Sequence, residues 1–203
     1  MHVVSKKTCL IIYILYVVTC IILNYLFVIG SGLAFFAVGY AFAYGGTPQD
    51  TLDVYTHEPV DAPITFIGSE NFFLIDVNNY GFWLYQYAFA ATSTTIVAGT
   101  LAERCQMTAY LLYSTFLTSF VYPIIAHNIW SINGFLTAVR VNPLFGVGMI
   151  DFAGSGVVHV TGGFTALIAS KILGPRKGRF DEEKGVGMAR RIEGNSRLVF
   201  LFF

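Results

Sequence analysis

Asp-Phe-Ala-Gly-Ser-Gly-Val-Val-His-Val-Thr-Gly-Gly, residues 151–163, sets an acid and a histidine within a run that otherwise has the composition of a membrane-spanning helix. An Asp at membrane depth costs about 2.5–3.5 kcal/mol on the insertion scale, so ionisable groups persist there mainly where they pair or line a pathway. Asp151 and His159 are eight residues apart, about 12 Å along a continuous helix. One reading makes them pathway residues inside the span. The other places Asp151 at a helix N-terminus, where negative charge meets the positive end of the dipole, and leaves His159 as a satisfied core side chain.

The whole chain agrees with a membrane setting. Of its 203 residues 55% are hydrophobic and 12% charged, against about 25% charged in soluble domains, and mean hydropathy is +0.64. The formal charge is zero but unevenly placed. Residues 45–80 carry Asp50, Asp53, Glu58, Asp61, Glu70 and Asp76 without a Lys or Arg, whereas eight of the twelve basic residues lie from Lys171 onward. The positive-inside tendency then makes the tail cytoplasmic and the acidic loop external. Cys9, Cys20 and Cys105 have neither metal nor disulfide spacing and read as small hydrophobes.

The apolar run 8–44, broken by Asn24 and Gly30-Ser31-Gly32, is too long for one span of about 20 residues. It implies two segments, near 8–28 and 25–44. Further segments are expected at 81–101, 108–130 and 149–173, the last closed by Gly174-Pro175. Counting back from a cytoplasmic tail puts 45–80 outside and Glu103-Arg104 inside, in keeping with their charges. The same count leaves Lys6-Lys7 outside, against the positive-inside rule. The chain therefore divides into an atypical segment 1–24, a helical membrane unit 25–175, and a basic tail with an apolar stub, 176–203.

Six stretches carry a resemblance: Gly-Tyr-Ala-Phe-Ala-Tyr-Gly (39–45), Phe-Ala-Ala-Thr (89–92), Ala-Glu-Arg (102–104), Tyr-Pro-Ile-Ile-Ala-His-Asn-Ile-Trp (122–130), Asp-Phe-Ala-Gly-Ser-Gly-Val-Val-His (151–159) and Gly-Pro-Arg-Lys-Gly-Arg-Phe (174–180). In this order they resemble the ammonium transporter family, in its methylammonium/ammonium permease branch. Trp130 and Asp-Phe-Ala-Gly (151–154) favour that branch over the Rhesus-type gas channels. The resemblance implies an all-α, polytopic membrane fold, here about five transmembrane helices corresponding to the N-terminal half of an eleven-helix inverted-repeat transporter. It also implies a homotrimer in the plasma membrane, each subunit with its own pore for ammonium or ammonia. No enzyme activity, cofactor, metal or nucleic-acid partner is expected.

Residue by residue, the resemblance assigns Phe89 to the outer ring of a pore gate and Trp130 and Tyr85 to aromatics at the external mouth. His159 matches the first of two pore histidines, and Asp151 a buried aspartate of structural and electrostatic role. These assignments make physical sense. Aromatic faces attract a cation by about 0.5–1 kcal/mol each when exposed and about 2 when desolvated. Tyr85 and Phe89, four apart, share a helix face. Beyond them an apolar path disfavours the charged amine, so ammonium would give up its proton and pass a neutral His159 that offers one donor and one acceptor nitrogen. Without the resemblance the same rings read as a packed stripe, and Trp130 as part of an interfacial aromatic belt.

Other residues suggest support rather than chemistry. His127 also matches a family histidine, with a helix-packing or interfacial role expected; His57 and His2 have no partner pattern. Glu103-Arg104 reads as a capping or inter-helix ion pair, Gly154, Gly156, Gly162 and Gly163 as small-residue packing, and Arg176-Lys-Gly-Arg179 as an anchor at anionic lipid. Complete family members have about eleven spans, so five imply a fragment or truncated product. The competing function is accordingly a non-transporting subunit or an ammonium-sensing membrane protein.

Overall fold

The computed structural model describes residues 25, 27–46, 62–101 and 104–175, and four helices account for most of them. Helix α1 is Phe27–Tyr44, α2 is Tyr80–Leu101, α3 is Met107–Trp130 and α4 is Ser155–Leu173. Short 3₁₀ turns at Phe72–Leu74 and Leu144–Gly146 sit in the connections. Three of these helices, α1, α3 and α4, are long and apolar enough to cross a membrane. Helix α2, with 22 residues, extends about 33 Å and carries five Ser or Thr residues. Thr92, Ser93, Thr94, Thr95 and Thr100 each donate to a carbonyl three or four residues earlier, which satisfies them without water.

The expected segments at 25–44, 81–101 and 108–130 correspond to α1, α2 and α3. The expected segment 149–173 is corrected at its start, because the helix begins at Ser155 and the preceding residues form a turn. Most of the segment 8–28, the pair Lys6-Lys7 and the tail 176–203 lie outside the described residues.

Each of α1, α3 and α4 contains one π-turn, at Phe35–Gly39, Leu117–Val121 and Ser155–Val160. In α3 it ends two residues before Pro123: the Tyr122 N–H reaches Leu117 O, five residues back, next to a proline that removes a donor and crowds a regular turn. Glycine sets the closest approaches between helices. A Cβ on Gly39 would lie 2.6 Å from Thr118 O of α3, and one on Gly162 would lie 2.7 Å from Ser93 O and 3.0 Å from Ile96 Cβ of α2. Only Gly162 thus performs the close helix packing expected of the α4 glycines. Gly163 faces open space, and Gly154 and Gly156 crowd the turn that begins the helix.

Among the described residues most of the buried hydrophobic side chains fall into two clusters. One joins Phe35, Tyr40, Tyr44, Ala90, Tyr122, Trp130, Val157 and Val158; the other joins Val97, Leu101, Leu117 and Ala166. Ala90 shares the first cluster with Val157 and Val158, Gly162 approaches Ser93 and Ile96, and Val97 and Leu101 share the second cluster with Ala166, so α2 and α4 run in the same direction. The ends of α1 and α3 and the starts of α2 and α4 therefore share one end of the bundle. Residues 62–68 are strapped across it, through Thr65 N–H to Asn133 O (2.9 Å), Gly68 N–H to Phe42 O (2.9 Å) and Arg140 Nη2 to Ala62 O (2.6 Å).

Candidate functional site

At this strapped end three aromatic rings from two helices meet edge to face. Tyr85 and Phe89, one turn apart on α2, have centroids 4.9 Å apart at 83°. Phe89 and Trp130, at the end of α3, have centroids 5.3 Å apart at 62°. The ring quadrupole favours such tilted pairs, and Tyr85 remains 57% exposed at the open side. Trp130 is 8% exposed, and its Nε1–H donates to the Asp151 carbonyl at 2.7 Å. An indole in an interfacial belt sits at the headgroup level; this one is turned into the protein and tethered.

Asp151 is the second half of that tether, and its carboxylate is turned onto its own helix. Oδ1 accepts the N–H groups of Gly154 (2.8 Å) and Ser155 (2.9 Å) and the Ser155 hydroxyl (3.3 Å). Oδ2 accepts those of Gly156 (2.9 Å) and Val157 (2.8 Å). Four donors at a helix start have no partner within the helix, and here one carboxylate receives them. Gly154 makes the turn possible. Its φ of +84° is left-handed, a conformation costly for residues with a Cβ. Burial alone would push the Asp151 carboxyl up, but the backbone N–H bonds together hold it below its ordinary value.

The two halves of the second reading of the Asp151–His159 pair fare differently. Asp151 is the N-terminal acid of the second reading, outside the helix, so the 12 Å spacing along one helix does not apply. His159 is not a satisfied core residue: it lies on the exposed face of α4. Its N–H bonds to Gly154 O at 2.9 Å, one turn beyond the capped start, and none of the ring contacts of the aromatic cluster involves it. The structure therefore joins Tyr85, Phe89, Trp130 and Asp151 and places His159 deeper along α4.

The loop after α3 closes on itself through Met149 N–H to Leu136 O (2.7 Å). Beneath it lies a cavity of about 270 Å³ lined by Trp130, Thr137, Met149, Asp151 and Phe152 among others; neither Phe89 nor Tyr85 lines it. Among the described residues no group of three or more His, Cys, Asp or Glu could hold a metal ion. Glu103, half of the expected inner ion pair, lies outside the described residues, and the buried Nε of Arg104 has no hydrogen-bond partner among the described residues.

The packing role expected of His127 is met by partners that its sequence neighbourhood does not indicate. The ring is fully buried, with Nδ1 2.8 Å from Ala43 O and Nε2 2.9 Å from Thr65 Oγ1. Its neighbour Asn128 donates to Phe66 O at 3.1 Å. Partners 62 and 84 residues away leave no local signature.

Apolar helices tied at their polar turns, with an aromatic cluster on one end, define a polytopic α-helical membrane protein. Residues 13–193 match the model described as the Ammonium Transporter Family, and the chain belongs to that family. It is 46% identical over 158 residues to "Ammonium transporter 1 member 3" of Solanum lycopersicum, covering 76% of this chain and 31% of the relative. To "Ammonium transporter 3" of Dictyostelium discoideum it is 40% identical over 153 residues, covering 75% and 30%. A solved structure titled "Sensor Amt Protein" superposes with a TM-score of 0.65 at 29% identity, covering 86% of this chain and 40% of that one. The chain thus spans about a third of the length of the curated relatives it matches, as part of an integral membrane transport fold.

Proposed function

We propose that the protein carrying this chain moves ammonium across a membrane, and that the strapped end is its external mouth. The observation that carries this reading is the cluster Tyr85–Phe89–Trp130, in which an edge-to-face stack is fixed by the bond from Trp130 Nε1 to Asp151 O. Ring faces held in this way attract a small cation, and more strongly once it sheds water. Asp151 keeps the mouth in shape, since its oxygens are engaged by the helix start.

Deeper along α4 stands His159. An imidazole at membrane depth normally faces the bundle interior or a water-filled path. Its exposure among the described residues is consistent with a face that lines the pore once the rest of the protein is in place. There a neutral imidazole can share a proton or hydrogen-bond ammonia. The acidic character of 45–80 supports an outward orientation for the mouth, and the basic residues after Lys171 an inward one for the opposite end. The proposed setting is a homotrimer in the plasma membrane, with ammonium or ammonia as solute and the bilayer as solvent.

Replacing Trp130 with leucine in the intact protein tests the mouth. Loss of one desolvated cation–π partner of about 2 kcal/mol should raise the KM for ammonium roughly thirtyfold, with folding retained. Uptake and affinity equal to wild type would leave the indole a packing role alone and sink the proposal for the mouth.

A further inference from the structure

His127 touches no ring of the mouth, yet it lies one turn before Trp130 on α3 and ties that helix end to two other segments. A carbonyl can only accept, so the contact with Ala43 O means that Nδ1 carries the proton and donates. In the neutral ring Nε2 is then the acceptor, and the Thr65 hydroxyl donates to it. One imidazole thereby pins the end of α3 to the end of α1 and to the strap. The His127 carbonyl in turn receives the Ser131 N–H that closes α3 just past Trp130, at 3.2 Å. Asn128 adds a parallel tie to Phe66 O, but only His127 reaches α1.

We infer that His127 is a positioning residue for ion capture: with Thr65 and Ala43 it fixes the backbone end of Trp130, while Asp151 fixes the indole tip, so that the ring stays against Phe89. A side chain held at one end can pivot, and one held at both ends cannot. The inference rests on the reading of Trp130 and Phe89 as the ammonium mouth. It goes beyond that reading by assigning mouth geometry to a residue that never meets the ion.

Two variants remove the Thr65 bond, one from each side. His127→Asn keeps an N–H donor near the position of Nδ1 and drops the Thr65 contact, and Thr65→Val removes the hydroxyl while leaving the ring. Both should raise the KM for ammonium about fivefold, equal to about 1 kcal/mol of weakened cation–π contact, with little change in the maximal rate. His127→Gln, which reaches toward Thr65, should restore part of the loss. The second readout is independent of transport: in 5-fluorotryptophan-labelled protein, the ¹⁹F resonance of Trp130, assigned by its absence in Trp130→Phe, should broaden or shift in both variants. A perturbed resonance with unchanged KM would support the positioning role and overturn the ammonium reading of the mouth. An unperturbed resonance in folded Thr65→Val protein would overturn the positioning role itself.

Discussion

Asp151→Ala should be the most destabilising single change at the mouth, by about 3 kcal/mol. The estimate combines the loss of a helix-capping side chain, about 1–2 kcal/mol, with the loss of a negative charge at the positive end of a helix, up to about 2 kcal/mol when partly buried. The removed carboxylate accepts from Gly154, Ser155, Gly156 and Val157, and several of those donors would be left buried without a partner. Asp151→Asn should fare little better, because its amide group would point donors at donors. Asp151→Ser retains one acceptor oxygen before the helix start and should recover part of the stability. The pH dependence has a definite sign. The folded carboxyl lies below its ordinary value, so its stabilisation is present above the unfolded pKa and is lost as pH falls through the lower folded one. Thermal unfolding in lipid across the acid range checks this, and the serine variant should flatten the profile. A serine variant that folds and keeps its ammonium affinity supports the cap. One that folds but loses affinity would make Asp151 an electrostatic attractor instead.

His159→Ala in the intact protein should lower the maximal ammonium flux on the order of tenfold, equal to about 1.4 kcal/mol for one buried polar contact in the permeation step. Its KM should stay near wild type. The separation follows from position: the rings proposed for capture belong to α2 and the end of α3, while His159 lies along α4 beyond Asp151 and outside the cluster. His159→Asp should alter which species passes, since a carboxylate favours a cation where a neutral imidazole accommodates ammonia. Flux and selectivity unchanged in both variants would remove His159 from the pathway. A rise in KM alone would move it to the mouth.

Apolar runs alone make most of the helices legible in the sequence, because a membrane span is mainly a matter of length and hydropathy. The aromatic partners Tyr85 and Phe89 follow from helical spacing. Trp130 is ambiguous at that level, since hydropathy cannot tell an indole facing the headgroups from one turned inward to a carbonyl 21 residues away. The start of α4 is misread because the hydrophobicity of 149–154 continues that of the helix, whereas the end of the turn is decided by Gly154 and the Asp151 carboxylate. The strap 62–68 has no apolar period, and its bonds to His127, Asn128 and Asn133 are long-range. It leaves no trace in the sequence for the same reason that the partners of His127 leave none.

The wide turns in α1, α3 and α4 bear on how these helices tolerate changes of length. In a regular helix each residue advances the facing direction by about 100°, so losing one swings every later side chain to a new face. A π-turn already stores one surplus residue as a local bulge. Deleting a residue from Leu117–Val121 lets the bulge close into an ordinary turn, leaving Met107–Phe116 and Tyr122–Trp130 in phase with each other. The same deletion a turn later would rotate Trp130 away from Phe89. Among the described helices these three short stretches are therefore where a one-residue gap in a relative is best absorbed.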